Sequence, residues 1–410
     1  MMKLFDRLFG SRVATQQPIM LGGVDVPRDV EPLHWLLAGS TGSGKTTLLS
    51  ELLSSVIPRG DRVIVIDPAG HHMSRFGRGG DSVLNPFDRR GQCWSIFNEV
   101  RHDYDYDRLA RSIIPDGEGA DAQWHFYAQT LLAETMRALM IRGENNTESL
   151  MRRVTVTSSA ELGQLLAGSA VAGLFDHDSA RALASTRFIL TAYLNPHRYL
   201  KPGAFSLRDW LHEGTGNLFI NWREDMQPTL MPLISSWADI LANAVLSLPP
   251  DSERRIWLVL DELGALERLG SLEGALTRGR KHGLCVVAGL QSTAQLDRRY
   301  GNAGATVLRS CFRNLIVLGL SKSDPDTAEV LSRALGEREV QRQKHSTNEG
   351  PQGISRGVTV EKSTERIALP SELTSLPNLT AYLALAGDHP TRLINIGPRD
   401  MPVVMAAMEE

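Results

Sequence analysis

The sequence predicts an α/β protein with a parallel-rich twisted sheet that is interrupted by a block of helices. An apolar strand at 34–38, a glycine-rich turn, a helix and a second strand at 62–67 follow one another, and this succession is the unit from which parallel sheets are built. Strand patterns then disappear between residues 93 and 202, where apolar residues recur with helical periodicity. We therefore expect one sheet whose sequence is split by an inserted all-α domain.

Length and composition limit the classes of protein that remain. The chain has 410 residues with a net charge of -3, and 42% of them are apolar. These values exclude a histone-like basic protein and a highly charged disordered chain, but a channel lined by local positive charge could still bind DNA. The three cysteines are far apart, which excludes a disulfide scaffold. No apolar run approaches the roughly 18 residues of a membrane span, and the first ten residues lack a signal-peptide pattern.

Four segments follow from these patterns. Residues 1–17 are predicted to be a tail or a short docking helix, because their apolar side chains share one helical face. Residues 18–92 and 203–410 form the two parts of the α/β domain, and the second part ends in a hairpin. Residues 93–202 form the insertion, which carries 11 Lys and Arg against 13 Asp and Glu. This acidic balance argues against the insertion as the DNA-gripping surface.

Within the second part, strands are predicted where β-branched and apolar residues cluster between turn signals, at 217–222, 256–260, 284–290, 315–320, 381–386 and 392–396. A helix is predicted over 266–282. Residues 341–362 are rich in Gln, Lys, Ser, Gly and Asn with few apolar residues, which predicts a mobile loop.

The turn after the first strand matches the phosphate-binding pattern G-x-x-x-x-G-K-[ST] in full, with the strand before it and the helix after it that the pattern requires. Its residues, with the threonine that follows, are Gly39, Ser40, Thr41, Gly42, Ser43, Gly44, Lys45, Thr46 and Thr47. The glycines let backbone N–H groups surround phosphate oxygens at a helix N-terminus. Lys45 would reach the β- and γ-phosphates, and the Thr46 hydroxyl would ligate Mg²⁺.

The buried strand 256–260 ends in two adjacent carboxylates, Asp261 and Glu262. Ligands of open α/β sheets bind at this end of the strands. Asp261 would hold Mg²⁺ through water, and Glu262 would polarise the attacking water. Two adjacent acids favour ATP hydrolysis by a motor over a nucleotide switch, and the N-K-x-D segment of Ras-class switches does not occur. A Rossmann dehydrogenase is disfavoured too, because residues 42–47 lack the spaced third glycine.

Two further features admit two interpretations each. Gln291, at the end of strand 284–290, is either a sensor of the γ-phosphate or a polar strand cap. The basic cluster at 278–282, which contains Arg280, is either an arginine finger for a neighbouring subunit or a solvated helix end. Arg309 and Arg313 are rival fingers. His71 and His72 are adjacent, so their side chains point in different directions and predict no metal site.

In combination, these motifs resemble the type IV coupling proteins of bacterial conjugation, the TraD/TrwB group. The resemblance extends from Leu21 to about Gly387 and is carried by five groups of residues besides the phosphate loop. They are Leu21–Val24, Val65–Pro68, Leu84–Asp88, Asn217–Met226, and the stretch from Asp261-Glu262-Leu263 through Leu276–Lys281 to Val287–Ser292.

The resemblance implies a RecA-like P-loop NTPase core with an inserted all-α domain, in a hexameric ring. The family hydrolyses ATP with Mg²⁺ and moves single-stranded DNA, bound to relaxase, towards a type IV secretion channel. Lys45 and Thr46 occupy the family's phosphate and Mg²⁺ positions, and Asp261 and Glu262 its acidic pair. Gln291 matches the γ-phosphate sensor, and Arg280 matches the finger from the next subunit.

One departure concerns the membrane. Family members usually begin with a segment of two membrane helices, and here only residues 1–17 precede the resemblance. We therefore expect one of two locations. Either a separate membrane protein holds this protein at the cytoplasmic face of the inner membrane, or the protein is soluble in the cytoplasm. Accessory conjugation proteins and secretion components are the expected partners, together with single- or double-stranded DNA.

Two alternatives have a different function. The first is an FtsK-like DNA translocase, which needs a sequence-reading C-terminal module, and about 23 residues after Gly387 are too few for one. The second is a recruitment platform without motor activity, which would bind secretion substrates through the helical insertion. DNA-stimulated ATP turnover separates a motor from such a platform.

Overall fold

The structure is a computed structural model that describes residues 17–350, 353–397 and 401–410. The docking helix predicted within residues 1–17 falls outside these ranges. The strands, in chain order, are β1 (Ile19–Leu21), β2 (Val24–Val26), β3 (Trp35–Ala38), β4 (Arg62–Pro68), β5 (Ser82–Leu84), β6 (Leu218–Trp222), β7 (Ile256–Leu260), β8 (Leu284–Leu290), β9 (Asn314–Leu318), β10 (Glu337–Gly350), β11 (Gly353–Arg366), β12 (Thr380–Ala384) and β13 (Arg392–Asn395).

The α-helices of the described residues are α1 (Lys45–Val56), α2 (His71–Phe76), α3 (Asp105–Ile113), α4 (Ala122–Ile141), α5 (Thr147–Met151), α6 (Ser159–Leu165), α7 (Ala180–Leu194), α8 (Leu207–Glu213), α9 (Gln227–Val245), α10 (Leu272–Arg278), α11 (Thr293–Cys311), α12 (Pro325–Leu335) and α13 (Pro370–Leu373). A π-helical segment, Arg152–Val156, follows α5. Short 3-10 turns lie at Glu31–Leu33, Ile96–Glu99, Gly119–Asp121, Ala172–Phe175, His177–Ser179, Asn195–Tyr199, Glu224–Met226, Leu263–Ala265 and Gly279–His282.

The central sheet has nine strands in the order β13-β12-β9-β3-β8-β7-β4-β6-β5. The seven strands from β9 to β5 are parallel to their neighbours. Strand β12 is antiparallel to β9 and forms the predicted terminal hairpin with β13. The predicted α/β fold with a parallel-rich sheet is therefore confirmed.

Both faces of the sheet are covered, because successive side chains of a strand point to opposite faces. In β3, Trp35 and Leu37 enter the core beneath α1, whereas Leu36 and Ala38 enter the core on the other face. Parallel strands buried on both faces have continuous apolar sequences, and all five residues of β7 are buried. This is why the strands that position the site could be predicted from short apolar runs.

Helices α3 to α7 lie in sequence between β5 and β6, within the segment predicted as an insertion. The two ends of this segment meet, since Phe205 N donates to Cys93 O (3.2 Å) and Asn98 Nδ2 donates to Phe205 O (2.8 Å). The buried side chains of helices α3 to α7, such as Leu131 and Leu190, belong to the same apolar core as the side chains on one face of the sheet. The division at residues 93 and 202 into separate domains stays a prediction.

The prediction of a mobile loop over residues 341–362 is wrong. In the structure β10 and β11 pair antiparallel along their whole length, from Glu337 opposite Arg366 to Gly350 opposite Gly353. None of the side chains of this ribbon whose burial the structure describes is buried, and Val358 and Val360 are both more than half exposed. A search for buried or half-buried strands cannot detect such a pattern.

The helix predicted over 266–282 is shorter, consisting of α10 followed by the 3-10 turn Gly279–His282. Within the described ranges, none of the helices is both long enough and apolar enough to cross a bilayer.

Candidate active site

The carboxyl edge of the sheet, defined as the C-terminal ends of β3, β4, β7 and β8, carries the phosphate-binding loop. The loop is fixed to neighbouring strands, because Gly39 N donates to Leu290 O (3.0 Å) and Ser40 N donates to Gly319 O (2.9 Å). Gly44 has φ +115°, and a Cβ there would lie 2.8 Å from Leu379 Cδ2. Only glycine fits this position without strain, so the loop can wrap closely around a ligand.

Lys45 is the first residue of α1 and is almost fully buried. Its Nζ donates to Gly39 O (2.5 Å) and Ser40 O (3.3 Å). Burial lowers the pKa of Lys45, and the nearby carboxylates of Glu262 and Asp261 oppose that shift. The ammonium group and the free N–H groups at the start of α1 make this end of the cavity a site for anions.

Asp261 and Glu262 follow the buried strand β7. Burial raises the pKa of Asp261 to about 6, with a further contribution from the Glu262 carboxylate. Burial also raises the pKa of Glu262. Glu262 Oε1 is buried and has no hydrogen-bond partner among the described residues, so one carboxylate oxygen remains available to a molecule in the cavity.

Gln291 bridges the phosphate-binding loop and the acidic pair. Its Nε2 donates to Glu262 Oε2 (2.8 Å), and its Oε1 accepts from Thr41 Oγ1 (3.3 Å). The preceding strand can approach β7 closely because residue 289 is glycine, where a Cβ would lie 1.9 Å from Asp261 O. A side chain that contacts both the loop and Glu262 can respond to a ligand bound between them.

These groups surround one cavity of about 780 Å³. Of the residues predicted to bind nucleotide, those that line it are Ser40, Thr41, Gly42, Gly44, Lys45, Thr46, Thr47, Asp261, Glu262 and Gln291. Gly39 and Ser43 support the loop from within it, and Ser43 Oγ donates to Ser40 O (2.8 Å).

Sequence reasoning missed part of the lining: Pro68, Trp222, Glu224, Gln227, Gly264, Ala265, Gln295, Arg298, Asn378 and Leu379. Trp222 ends β6, so strand-end reasoning could have found it. Leu379 N donates to Ser43 O (2.9 Å) across more than 300 residues of sequence, and no local pattern signals that contact.

The structure does not bring Arg280 to this cavity within one chain. Arg280 is exposed and precedes β8, at the amino edge of the sheet, defined as the N-terminal ends of β3, β4, β7 and β8. Strand β8 has seven residues, which separates the two edges by about 20 Å. Arg313 precedes β9 and shares the amino edge, whereas Arg309 pairs with Asp297 (3.1 Å).

The donor set of the cavity fits Mg²⁺. The cation prefers hard oxygen ligands and keeps several waters when it is bound with phosphates. The Thr46 hydroxyl, the Asp261 carboxylate and the unpartnered Glu262 Oε1 are such oxygens, and all three residues line the cavity.

A strand, a glycine-rich loop that starts a helix, and an acidic strand end beside it define the class of P-loop nucleotide triphosphatases. A family model described as "Type IV secretion-system coupling protein DNA-binding domain" matches residues 18–397. The chain therefore belongs to the family of type IV secretion-system coupling proteins, and the resemblance expected from the motifs is confirmed.

Individual relatives agree with this assignment. The coupling protein TraD of Escherichia coli (strain K12) is 30% identical over 408 residues, which cover 94% of this chain and 55% of TraD. The chain thus spans a little over half the length of that relative.

Two solved structures of the conjugative coupling protein TrwB are also similar. An unbound form of TrwBdeltaN70 is 42% identical with a TM-score of 0.92, covering 100% of this chain and 94% of that one. TrwB in complex with ADP and Mg²⁺ has a TM-score of 0.89 at 42% identity, with 100% and 95% coverage.

Proposed function

We propose that this chain is the motor of a conjugative DNA-transport system. It hydrolyses ATP with Mg²⁺ and moves DNA towards a type IV secretion channel. The observation that carries the proposal is the convergence of Lys45, Asp261, Glu262 and Gln291 on one cavity. Family membership and the adenine nucleotide and Mg²⁺ bound by TrwB support it.

The phosphate end of ATP binds the loop. Backbone N–H groups and Lys45 offset the phosphate charge, and they act strongly because the site is buried. Thr46 and Asp261 would hold the Mg²⁺, which would supply further charge neutralisation. The hydrogen bonds that Lys45 donates to Gly39 O and Ser40 O are exchanged for bonds to phosphate oxygens.

Glu262 orients the attacking water and accepts its proton, and Gln291 contacts the γ-phosphate. The bond from Gln291 Nε2 to Glu262 Oε2 links these two roles. A γ-phosphate that attracts Gln291 loosens that bond and leaves Glu262 to the water. Loss of the phosphate restores the bond, so the pair reports the state of the nucleotide to β8.

A second copy completes the site. Arg280 is exposed at the amino edge, and no ion pair forms between it and the part of the chain that the structure describes. It is therefore available to insert into the cavity of a neighbouring subunit, as an arginine finger does. Contacts between unlike surfaces form a ring when the rotation between neighbouring subunits closes, and we propose a closed hexamer.

The remaining assignments follow the family. Residues 93–202 act as a separate all-α domain that receives relaxase and accessory proteins, and 18–92 with 203–410 form the nucleotide-binding domain. The ring lies at the cytoplasmic face of the inner membrane beside the other secretion components.

The test is the ATPase rate with Mg²⁺, with and without single- or double-stranded DNA, across a range of protein concentration. We expect turnover that DNA stimulates and that rises more than linearly with protein as rings assemble. ATP binding without turnover at any concentration, with or without DNA, would indicate a recruitment platform instead.

A further inference from the structure

His72 lies behind the nucleotide cavity, where the sequence indicated no function for it. It is completely buried in the first turn of α2. Asp67, at the end of β4, holds that turn in place: its Oδ1 accepts from His72 N (3.1 Å) and its Oδ2 from Met73 N (2.7 Å). These two bonds fix the backbone turn that carries the imidazole.

The ring of His72 stands between the two residues assigned to Mg²⁺. Its Nδ1 lies 3.4 Å from Ser50 Oγ, and its Nε2 lies 3.8 Å from Asp261 Oδ2. Ser50 Oγ in turn lies 2.8 Å from the carbonyl oxygen of Thr46. One chain of polar atoms thus connects the backbone of Thr46 to the carboxylate of Asp261.

The protons on Ser50 and His72 can be arranged in two ways. A hydroxyl has one proton, and a neutral imidazole has one N–H. Ser50 Oγ donates its one proton to Thr46 O (2.8 Å). In the first arrangement His72 donates from Nδ1 to Ser50 Oγ (3.4 Å), and the lone pair of Nε2 faces the Asp261 carboxylate. In the second arrangement Nε2 carries the proton and points it towards Asp261, and only the long contact between Nδ1 and Ser50 is given up.

Nε2 is buried without a hydrogen-bond partner among the described residues. A buried polar atom without a partner is costly, and the nearest carboxylate oxygen is a few tenths of an ångström beyond hydrogen-bond distance. A hydrogen bond from Nε2 would require the Asp261 side chain to move closer to the ring.

We propose that His72 is a positioning residue, which donates Nε2–H to Asp261 Oδ2 and thereby holds the other Asp261 oxygen towards Mg²⁺. Groups that hydrogen-bond a metal-ligating side chain orient it, and their loss typically costs about 10- to 100-fold in metal affinity. The inference rests on the proposed function, because it requires Mg²⁺–nucleotide at this site.

The probe is a fluorescent non-hydrolysable ATP analogue, titrated with Mg²⁺ and also measured in EDTA. His72→Leu removes both ring nitrogens. We expect it to raise the half-saturating Mg²⁺ concentration by about tenfold or more while binding in EDTA stays as in the wild type. His72→Gln, whose amide can donate from a position near Nε2, is expected to restore most of the Mg²⁺ affinity.

His71→Gln is the matched control, because His71 neighbours His72 but contacts Arg75 (3.0 Å). It is expected to leave the Mg²⁺ dependence unchanged. His72→Phe, which keeps an aromatic ring in the same pocket, provides a second variant if His72→Leu does not fold. It also removes both ring nitrogens, and we expect the same rise in the Mg²⁺ requirement.

An unchanged Mg²⁺ dependence in His72→Leu, or an equal loss of binding in EDTA, would overturn the positioning role. If His72→Leu does not fold, an unchanged requirement in His72→Phe does the same. A wild-type chain that binds no nucleotide under any condition would overturn the proposed function as well, so the two failures are distinguishable.

Discussion

Buried charge is paired at one edge of the sheet and only partly paired at the other. At the amino edge, Arg59 donates to Glu31 Oε1 (2.7 Å) and to Asp61, and Arg255 Nε donates to Glu31 Oε2 (2.9 Å). Burial alone would lower the pKa of Arg59, but the hydrogen bonds that Arg59 donates to Glu31 and Asp61 outweigh burial and raise that pKa.

At the carboxyl edge the pairing is incomplete. Glu262 Oε1 and His72 Nε2 are buried without partners among the described residues, and burial raises the pKa of Asp261 to about 6. Since unpaired buried polar groups cost stability, the comparison separates two uses of charge. The amino-edge cluster stabilises the fold, and the carboxyl edge keeps free bonding capacity for a ligand.

The largest effect is expected from Lys45→Ala, which removes the cation of the phosphate-binding loop. ATP hydrolysis should fall to background, because the phosphate charge in a buried site then has no ammonium partner. A steady-state phosphate-release assay measures it, with the exposed Lys201→Ala as the control. Turnover retained in Lys45→Ala would mean that the carboxyl edge is not the ATP site.

Arg280→Ala tests whether the amino edge also acts in catalysis, through a neighbouring subunit. Loss of a finger costs on the order of 10³-fold in turnover, while the exposed neighbour Lys281→Ala should keep most activity. Mixing Arg280→Ala with Lys45→Ala subunits should restore some activity, since one interface then joins an intact loop to an intact finger. No rescue in rings shown to be mixed would point to Arg313 or Arg309.

Glu262→Gln probes the water-orienting role at the carboxyl edge. The amide keeps the shape and can still accept from Gln291, but it cannot take a proton. We expect ATP binding near the wild-type level and turnover reduced by roughly 10²- to 10⁴-fold, measured by isothermal titration and phosphate release. Full hydrolysis by this variant would remove Glu262 from the mechanism.

Sequence reasoning predicted those parts of the carboxyl edge that lie within one continuous segment of the sequence. The phosphate-binding loop and the acidic end of β7 each lie within eight consecutive residues, so their residue types and spacing carry the geometry. Gln291 was open to two interpretations, because its contacts to Thr41 and Glu262 join three separate segments.

Arg280 shows how sequence proximity misleads. It lies 18 residues after Glu262 in the sequence, yet the crossover from β7 to β8 returns the chain to the amino edge before β8 begins. Two neighbouring parallel strands require such a return. Residues just before a strand therefore lie at the amino edge of the sheet, and residues just after a strand lie at the carboxyl edge. The β10–β11 ribbon was missed for another reason, namely that none of its side chains that the structure describes is buried.

Glu31→Gln breaks the paired cluster at the amino edge. Removing Glu31 leaves the buried Arg255 without its carboxylate partner and leaves Arg59 with Asp61 alone, and we expect a loss of roughly 3 kcal/mol in the free energy of unfolding. Urea denaturation measures it. Glu253→Gln, at the exposed pair with Arg28 (3.7 Å), should cost under about 1 kcal/mol. Equal losses in the two variants would contradict the structural role of the buried cluster.

The smallest effect concerns Asp67, the buried acid at the carboxyl edge. Burial raises its pKa to about 7, against the backbone N–H groups of Met73 and His72 that lower it. The native state therefore holds this proton more tightly than the unfolded chain, whose carboxyl titrates near 4. The contribution of Asp67 to stability is complete below about pH 4 and is lost as the pH rises through about 7.

Asp67→Asn removes that titration. From pH 5 to pH 7, the free energy of unfolding of the wild type should therefore fall by about 2 kcal/mol relative to that of the variant. Urea denaturation at both pH values measures the shift, with the exposed Asp25→Asn as the control. A difference that does not change with pH would mean that Asp67 stays ionised in the folded protein. Its two backbone hydrogen bonds would then stabilise the carboxylate fully, and the contrast between the two edges would be confined to Asp261, Glu262 and His72.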